Sequence, residues 1–425
     1  MRVLFVIATL FVAIATAENV ESLPSLEGMQ ALTISCKNPV QSLLVQSYAG
    51  VSGFEFLRVT YDSMDVLVTA SQAEKFKEVL DANQISYTVT IENLKDLVFE
   101  EYITQQVERR INYRSYSLFN KLPFTYYPDY QEINEYLNHI ASKYKNVATL
   151  VDIGSSFEGR SMKALKISTG GKNKPGVFID AGIHAREWIA PITALYMIDQ
   201  LVGNKTNSHL LEHVDWYIVP LVNPDGYQFT HSNPANRLWR KTRSINKGSE
   251  CRGVDGNRNF DIAWMTIGAS FWPCSATYAG SAPFSEKETV NIRDFMLAQN
   301  GSIKIYISLH SYGQYILYPW GYTSNLPENE PELRSLASTC AKAIGSVRRT
   351  RYTFGTSANH LYPSAGGSDD WAMGKGGADL AYTYELPGGA AGFILPPSEI
   401  IPVGTETFEA IKEVHKYTKS RYIIF

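Results

Sequence analysis

The sequence predicts an α/β protein, built on a mixed, largely parallel twisted sheet with helices on both faces and preceded by a small α+β domain. Three observations predict it. From residue 115 onward, short apolar runs rich in β-branched and aromatic residues alternate with stretches of helical spacing. Residues 18 to about 100 instead show short alternating segments around one charged helical stretch. Hydrophobic residues make up 44% of the 425, against 19% charged, which suits a large core and excludes a disordered chain.

In chain order, Phe54–Val59 and Met64–Val68 alternate as half-buried strands do, and 71–82 carries the helical pattern between strands. Residues 98–106 are polar and helical. The strand candidates that follow are 176–180, 215–220, 304–309 and 380–384. Helices are expected over 186–202, 286–297 and 333–344, where apolar residues recur at helical spacing. Strands alternating with helices imply a sheet covered on both faces. Ligands of such sheets sit beyond the carboxyl ends of the strands.

The N-terminal part of the chain carries two processing signals. Arg2, the apolar run Val3 to Ile14 and Ala15-Thr16-Ala17 form a secretory signal pattern over residues 1–17. The run is roughly 12 residues, short of the ~20 that span a bilayer, and no later segment is long and apolar enough. Arg109, Arg110 and Arg114 fall close together between the two domain-like blocks. After a signal and a small domain, they read as a trypsin-type cut after Arg110 or Arg114. Net charge −3 and a pI near 6.3 give no basic footprint for nucleic acid. Of four cysteines, Cys251 and Cys274 straddle a loop-like segment and are the favoured pair; Cys36 and Cys340 are expected as buried thiols. Asn204-Lys205-Thr206 and Asn300-Gly301-Ser302 are glycosylation sequons.

The sharpest chemical signal is His184-Ala185-Arg186-Glu187, after a strand and at the opening of an expected helix. His and Glu three apart share one face of a helical turn, and both ligate zinc. A catalytic zinc takes three protein ligands and an open position. His310, at the end of another apolar strand, supplies the third at the same rim. The other six histidines lack such a setting. Gly253-Val254-Asp255-Gly256-Asn257-Arg258-Asn259 has the residues of a tight polar loop, and an Arg beside an Asn makes a good carboxylate receptor. Asn236 to Arg243 is a second basic stretch. Glu385 ends an apolar strand, where an acidic group is costly unless paired or functional. A carboxylate beside zinc takes a proton from water.

The ordered set HxRE, NRxWRKxR, GVDxNRNF, LHSYGQxxLYPWG, LYPxxGGSDDW and YEL resembles the pancreatic-type zinc metallocarboxypeptidases, the digestive A and B enzymes and their insect relatives. The resemblance covers essentially the whole chain. It implies a signal at 1–17, an activation propeptide at 18–110 that covers the cleft, and a catalytic domain of the carboxypeptidase fold at 111–425. It implies a secreted zymogen holding one zinc ion on His184, Glu187 and His310. Glu385 matches the general base. Arg240 matches the group that polarises the scissile carbonyl. Asn257, Arg258 and Tyr362 match the grip on the substrate's terminal carboxylate, and Arg186 and Tyr312 match subsite residues. Asp255 matches the carboxylate that orients His184, and Phe393 an aromatic pocket wall. The cysteines matching Cys251 and Cys274 are bridged in this family. Asp369 matches the pocket floor that is acidic in B-type enzymes, with Gly321, Ser357 and Gly367 as small lining residues. That implies release of C-terminal Lys or Arg. The A-type preference for apolar ends is the alternative, and a non-catalytic peptide-binding relative a remote one. No Gly-x-Ser-x-Gly elbow supports a serine hydrolase. The implied partners are peptide and protein C-termini and an activating trypsin-like protease, with no nucleic acid, no membrane and a monomeric enzyme. Residues 386–392 depart from the mammalian pattern, in which charged residues stand there.

Overall fold

The computed structural model describes residues 26–119 and 122–423, with the side chains of all but 113–119. The expected signal at 1–17 and the Arg114 side chain lie outside the described residues. The chain divides into two compact units: Met1–Thr104 with Phe229–Trp239, and Gln105–Gln228 with Arg240–Phe425.

In the first unit, β1 (Gln30–Ser35), β2 (Phe54–Val59), β3 (Ser63–Val68) and β4 (Ser86–Ile91) form an antiparallel sheet in the order β2-β3-β1-β4. The helices Pro39–Gln46 and Ala70–Ala82 fall between strands and give the βαββαβ order of a ferredoxin-like fold. Period-2 spacing explains the core. Leu32 and Ile34 of β1 and Met64, Val66 and Val68 of β3 turn to one face, where Phe76 and Leu80 of the second helix cover them. Within the same unit, Arg237 pairs with Glu101, both almost fully buried.

The second unit is built on eight strands: β5 (Ala148–Ser155), β6 (Ser161–Ile167), β7 (Gly176–Ala181), β8 (Asp215–Val219), β9 (Ile303–Ser311), β10 (Tyr315–Tyr318), β11 (Thr353–Thr356) and β12 (Leu380–Leu386). Their order is β11-β10-β12-β9-β7-β8-β6-β5. The inner run β12-β9-β7-β8 is parallel, and the antiparallel pairs lie outside it. Inner strands are buried on both faces, so β7 is buried at every residue. Val177, Ile179 and Ala181 join one core, under the helices Tyr130–Lys143, Ile189–Gly203, Glu330–Arg348 and Ile400–Tyr422. Phe178 joins the other core, with Ile292 and Met296 of the helix Lys287–Leu297 and Trp371 of the helix Ser368–Gly374.

Several expected elements differ from those observed. The helix expected over 186–202 begins at Ile189, because His184 to Trp188 form a turn. The helix expected over 333–344 runs from Glu330 to Arg348. β5, β6, β10 and β11 were not expected. They lie toward the sheet edges; partial burial weakens the apolar run of β5, β6 and β11, and β10, though mostly buried, is only four residues long. The polar stretch 98–106 belongs to a longer helix, Leu94–Phe119. Arg109 and Arg110 therefore stand on helix rather than on a loop. Arg110 is exposed, while Arg109 donates to Glu132 at 2.8 Å, the residue that closes a capping box with Asp129. Cys251 and Cys274 are bridged, and Cys36 and Cys340 are buried and free.

One buried carboxyl sets a pH dependence. Glu288, in the first turn of Lys287–Leu297, is 1% exposed; its Oε1 accepts from Phe157 N at 3.0 Å, and its Oε2 has no partner. Burial pushes it up to about 7. Its folded pKa thus exceeds its unfolded one, so the folded chain holds the proton more tightly. The stability this contributes is complete below about pH 4.3 and is lost as pH rises through about 7. Glu288→Gln removes that dependence. Thermal unfolding should show the variant more stable by roughly 2–3 kcal/mol at pH 8, and little changed at pH 4.

Candidate active site

β7 and β9 are parallel neighbours, and so are β9 and β12. Their carboxyl ends therefore open on one rim. His184 and Glu187 stand on the turn after β7, His310 near the end of β9, and Glu385 near the end of β12, directly opposite His310. Paired residues of adjacent strands point to one face, so register alone brings Glu385 toward the two histidines.

The turn is held by its neighbours. Ala185 N donates to Arg240 O at 3.0 Å. Asn223 Nδ2 bridges the carbonyls of Ile183 and Lys241, at 3.3 and 3.0 Å. These bonds lock the segment that carries His184 to the segment that carries Arg240. Asn223 is fully buried and had no signal in the sequence, because its partners are carbonyls distant along the chain.

His184, Glu187 and His310 each offer a ligand atom within 4.8 Å of the others, and all three are buried. Nδ1 of His184 lies 2.8 Å from Oε1 of Glu187, and Nδ1 of His310 lies 3.1 Å from Oε2. The two Nδ1 atoms are themselves 3.1 Å apart. Two imidazole nitrogens that face each other this closely beside a carboxylate favour a cation between them. Burial alone would raise Glu187, yet the two imidazoles outweigh it and hold it far below the usual carboxylate range. Burial, with Arg240 nearby, keeps His184 toward its neutral, ligating form. Nε2 of His184 lies 3.0 Å from Oδ1 of Asp255, which leaves Nδ1 for the metal. Two nitrogens and a carboxylate are the donor set of a catalytic zinc.

Six further expected residues fall into two groups. Arg258 Nη2 donates to Tyr362 Oη at 2.9 Å, and Asn257 Oδ1 accepts from Ser368 N at 2.8 Å. Arg258, Tyr362 and Asn257 thus stand together beside the helix Ser368–Gly374. On the other side, the Arg186 guanidinium lies 4.2 Å from the centre of the Phe393 ring, which packs edge-on to Tyr312 at 5.0 Å. The divergent loop 386–392 rests on Tyr312: Gly392 adopts φ +73°, and a Cβ there would run into that ring. Burial pushes Glu385 up to about 8, with His310 opposing and Glu187 adding to the rise.

Two imidazoles and a carboxylate able to hold a metal at the rim of an α/β sheet, with arginines close by, are the setting of a metallohydrolase. The zinc carboxypeptidase family matches residues 133–410, and the carboxypeptidase activation peptide matches residues 32–101. The chain belongs to the zinc carboxypeptidase family, whose members bind one zinc ion, and it is a metallocarboxypeptidase with an activation peptide. It is 48% identical over 305 residues to carboxypeptidase B of Astacus astacus, covering 71% of this chain and all of that one. It is 37% identical over 403 residues to carboxypeptidase B of Homo sapiens, covering 92% and 93%. The crystal structure of carboxypeptidase A from Helicoverpa armigera matches with a TM-score of 0.85 at 32% identity, covering 93% of this chain and 98% of that one.

Glu187→Ala removes the anionic ligand. Metal analysis of the variant should show loss of stoichiometric zinc, and peptidase activity should fall on the order of 10³-fold or more.

Proposed function

We propose that this chain is a secreted zymogen whose processed form releases Lys or Arg from peptide C-termini. The observation that carries the specificity is Asp369. It is 5% exposed, its Oδ1 accepts from Asp370 N at 2.9 Å, and among the described residues no Lys or Arg pairs with it. Its neighbour Asp370 accepts from Gly321 N and Tyr322 N, and burial with Asp369 beside it raises it as well. A buried carboxylate without a cation is costly, and burial raises Asp369 accordingly. A cationic side chain of the substrate removes that cost. Gly367 stands beside the Asp369 carboxylate, while Gly321 stands against Asp370 with Ser357 beyond it.

In this reading His184, Glu187 and His310 hold the metal, which when bound supplies a Lewis acid that polarises a carbonyl and acidifies a water. Asn257, Arg258 and Tyr362 bind the substrate's terminal carboxylate, which an internal peptide bond lacks; exopeptidase action follows from that. Glu385 takes the proton of the attacking water and returns it to the leaving amine. Its raised pKa suits a base that must also act as an acid. Arg240 donates to the carbonyl oxygen as negative charge grows there. Asp255 orients His184, and Arg186, Tyr312 and Phe393 line the path of the upstream residues.

The domain reading places the signal at 1–17, the propeptide at 18–110 and the enzyme at 111–425. The exposed Arg110 supports a trypsin-like activator. Among the described residues no helix is long and apolar enough to cross a membrane. The relatives include carboxypeptidases of both A and B type, so substrate choice is the test.

Processed enzyme should cleave peptides ending in Arg faster than peptides ending in Leu. Asp369→Leu should lower kcat/KM for the Arg peptide by about 10²–10³-fold and raise it for the Leu peptide; a wild type that prefers Leu is the A-type outcome. Trypsin treatment should give a new N-terminus at Ile111 or Ser115, together with a rise in turnover of large substrates. Full activity of the uncut chain on those substrates would remove the zymogen reading.

A further inference from the structure

Asp255 is fully buried, and its two oxygens serve different partners. Oδ1 lies 3.0 Å from Nε2 of His184. Oδ2 accepts from Arg240 twice, from Nε at 3.1 Å and from Nη2 at 2.8 Å. The carboxylate is itself held in place. Oδ1 also accepts from Asn257 N at 3.0 Å, and the backbone N of Asp255 donates to Tyr278 O at 2.8 Å.

A guanidinium is a rigid plane with five N–H donors. Two nitrogens of Arg240 are committed to one oxygen, which fixes the orientation of that plane. Nη1 makes no hydrogen bond among the described residues, and the side chain is 14% exposed. The edge that carries Nη1 is therefore the edge left to meet a substrate oxygen. The backbone bond from Ala185 to Arg240 joins the same two segments, but it fixes only their main chains. The aim of the arginine needs the side-chain link.

We propose that Asp255 is the positioning residue for Arg240 as well as for His184, so that one carboxylate aligns the metal ligand and the oxyanion donor. This rests on the role given above to Arg240. It adds a physical coupling: a change at one end of Asp255 alters the other end through the shared carboxylate.

A double-mutant cycle tests the coupling in processed, zinc-loaded enzyme, with zinc content measured for each protein. Arg240→Ala should lower kcat on the order of 10²–10³-fold. Asp255→Asn, at one zinc per chain, should lower kcat by about 10–100-fold with KM changed far less. The combined loss in the double variant should fall short of the product of the single losses by about 5-fold or more. Losses that simply multiply would overturn this proposal and leave the earlier reading of Arg240 intact. An Arg240→Ala enzyme with wild-type kcat would overturn both. A second measurement does not depend on the Asp255 variant folding. Free guanidinium added to Arg240→Ala should restore kcat roughly 10-fold, because the Asp255 fork site remains. Equal rescue by ammonium at the same ionic strength would show that charge alone is needed, and would sink the claim that Asp255 sets orientation.

Discussion

The site follows from one constraint, the parallel register of β7, β9 and β12. Three adjacent parallel strands end at the same rim, and each delivers one part of the chemistry there. The turn after β7 brings His184 and Glu187, β9 brings His310, and β12 sets Glu385 opposite His310. A one-residue slip of β12 would carry Glu385 to the other face. The alternating cores on both faces of the sheet resist that slip, because it would also invert Tyr382 and Tyr384, both nearly inaccessible.

Burying charge at that rim is costly, and the structure offsets the cost in three ways. Glu187 is offset by two imidazoles. Asp255 is offset by His184 and Arg240, which together hold it well below the usual carboxylate range against its burial. Asp370 accepts from backbone amides, which offset its burial only in part: burial, with Asp369 beside it, still raises it well above the usual carboxylate range. Burial also raises Asp369 and Glu385. In the proposed reading Asp369 receives a cationic side chain and Glu385 a proton.

The first unit has an architecture of its own, with a βαββαβ core and a buried Glu101–Arg237 pair. It carries the activation peptide, residues 32–101, which accounts for a fold with no metal-type cluster among its described residues standing before an enzyme. The helix Leu94–Phe119 carries the proposed cut. Arg109 is engaged by Glu132, and Arg110 is exposed beside it. Neighbouring arginines thus differ in access, although the sequence presents them as equivalent.

Much of this was legible in the residues themselves. Inner strands buried on both faces leave continuous apolar runs, so β7, β8, β9 and β12 were found within one or two residues. The candidate metal and base positions stand out in the sequence because the motifs are short and local and stand at strand ends. The outer strands were not legible, since half-burial leaves a weak pattern in β5, β6 and β11, and β10 is only four residues long. The turn at His184 was read as helix because a spacing of three fits both. Asn223, the second face of Asp255 and the absence of a cation for Asp369 were also out of reach. By itself, the sequence determined the fold class, the ligand types and the family to which they belong, since these depend on local pattern and residue chemistry. Only the tertiary structure decided which oxygen meets which nitrogen and which buried charge is left uncompensated, because those facts depend on groups far apart in the chain being brought within hydrogen-bond distance.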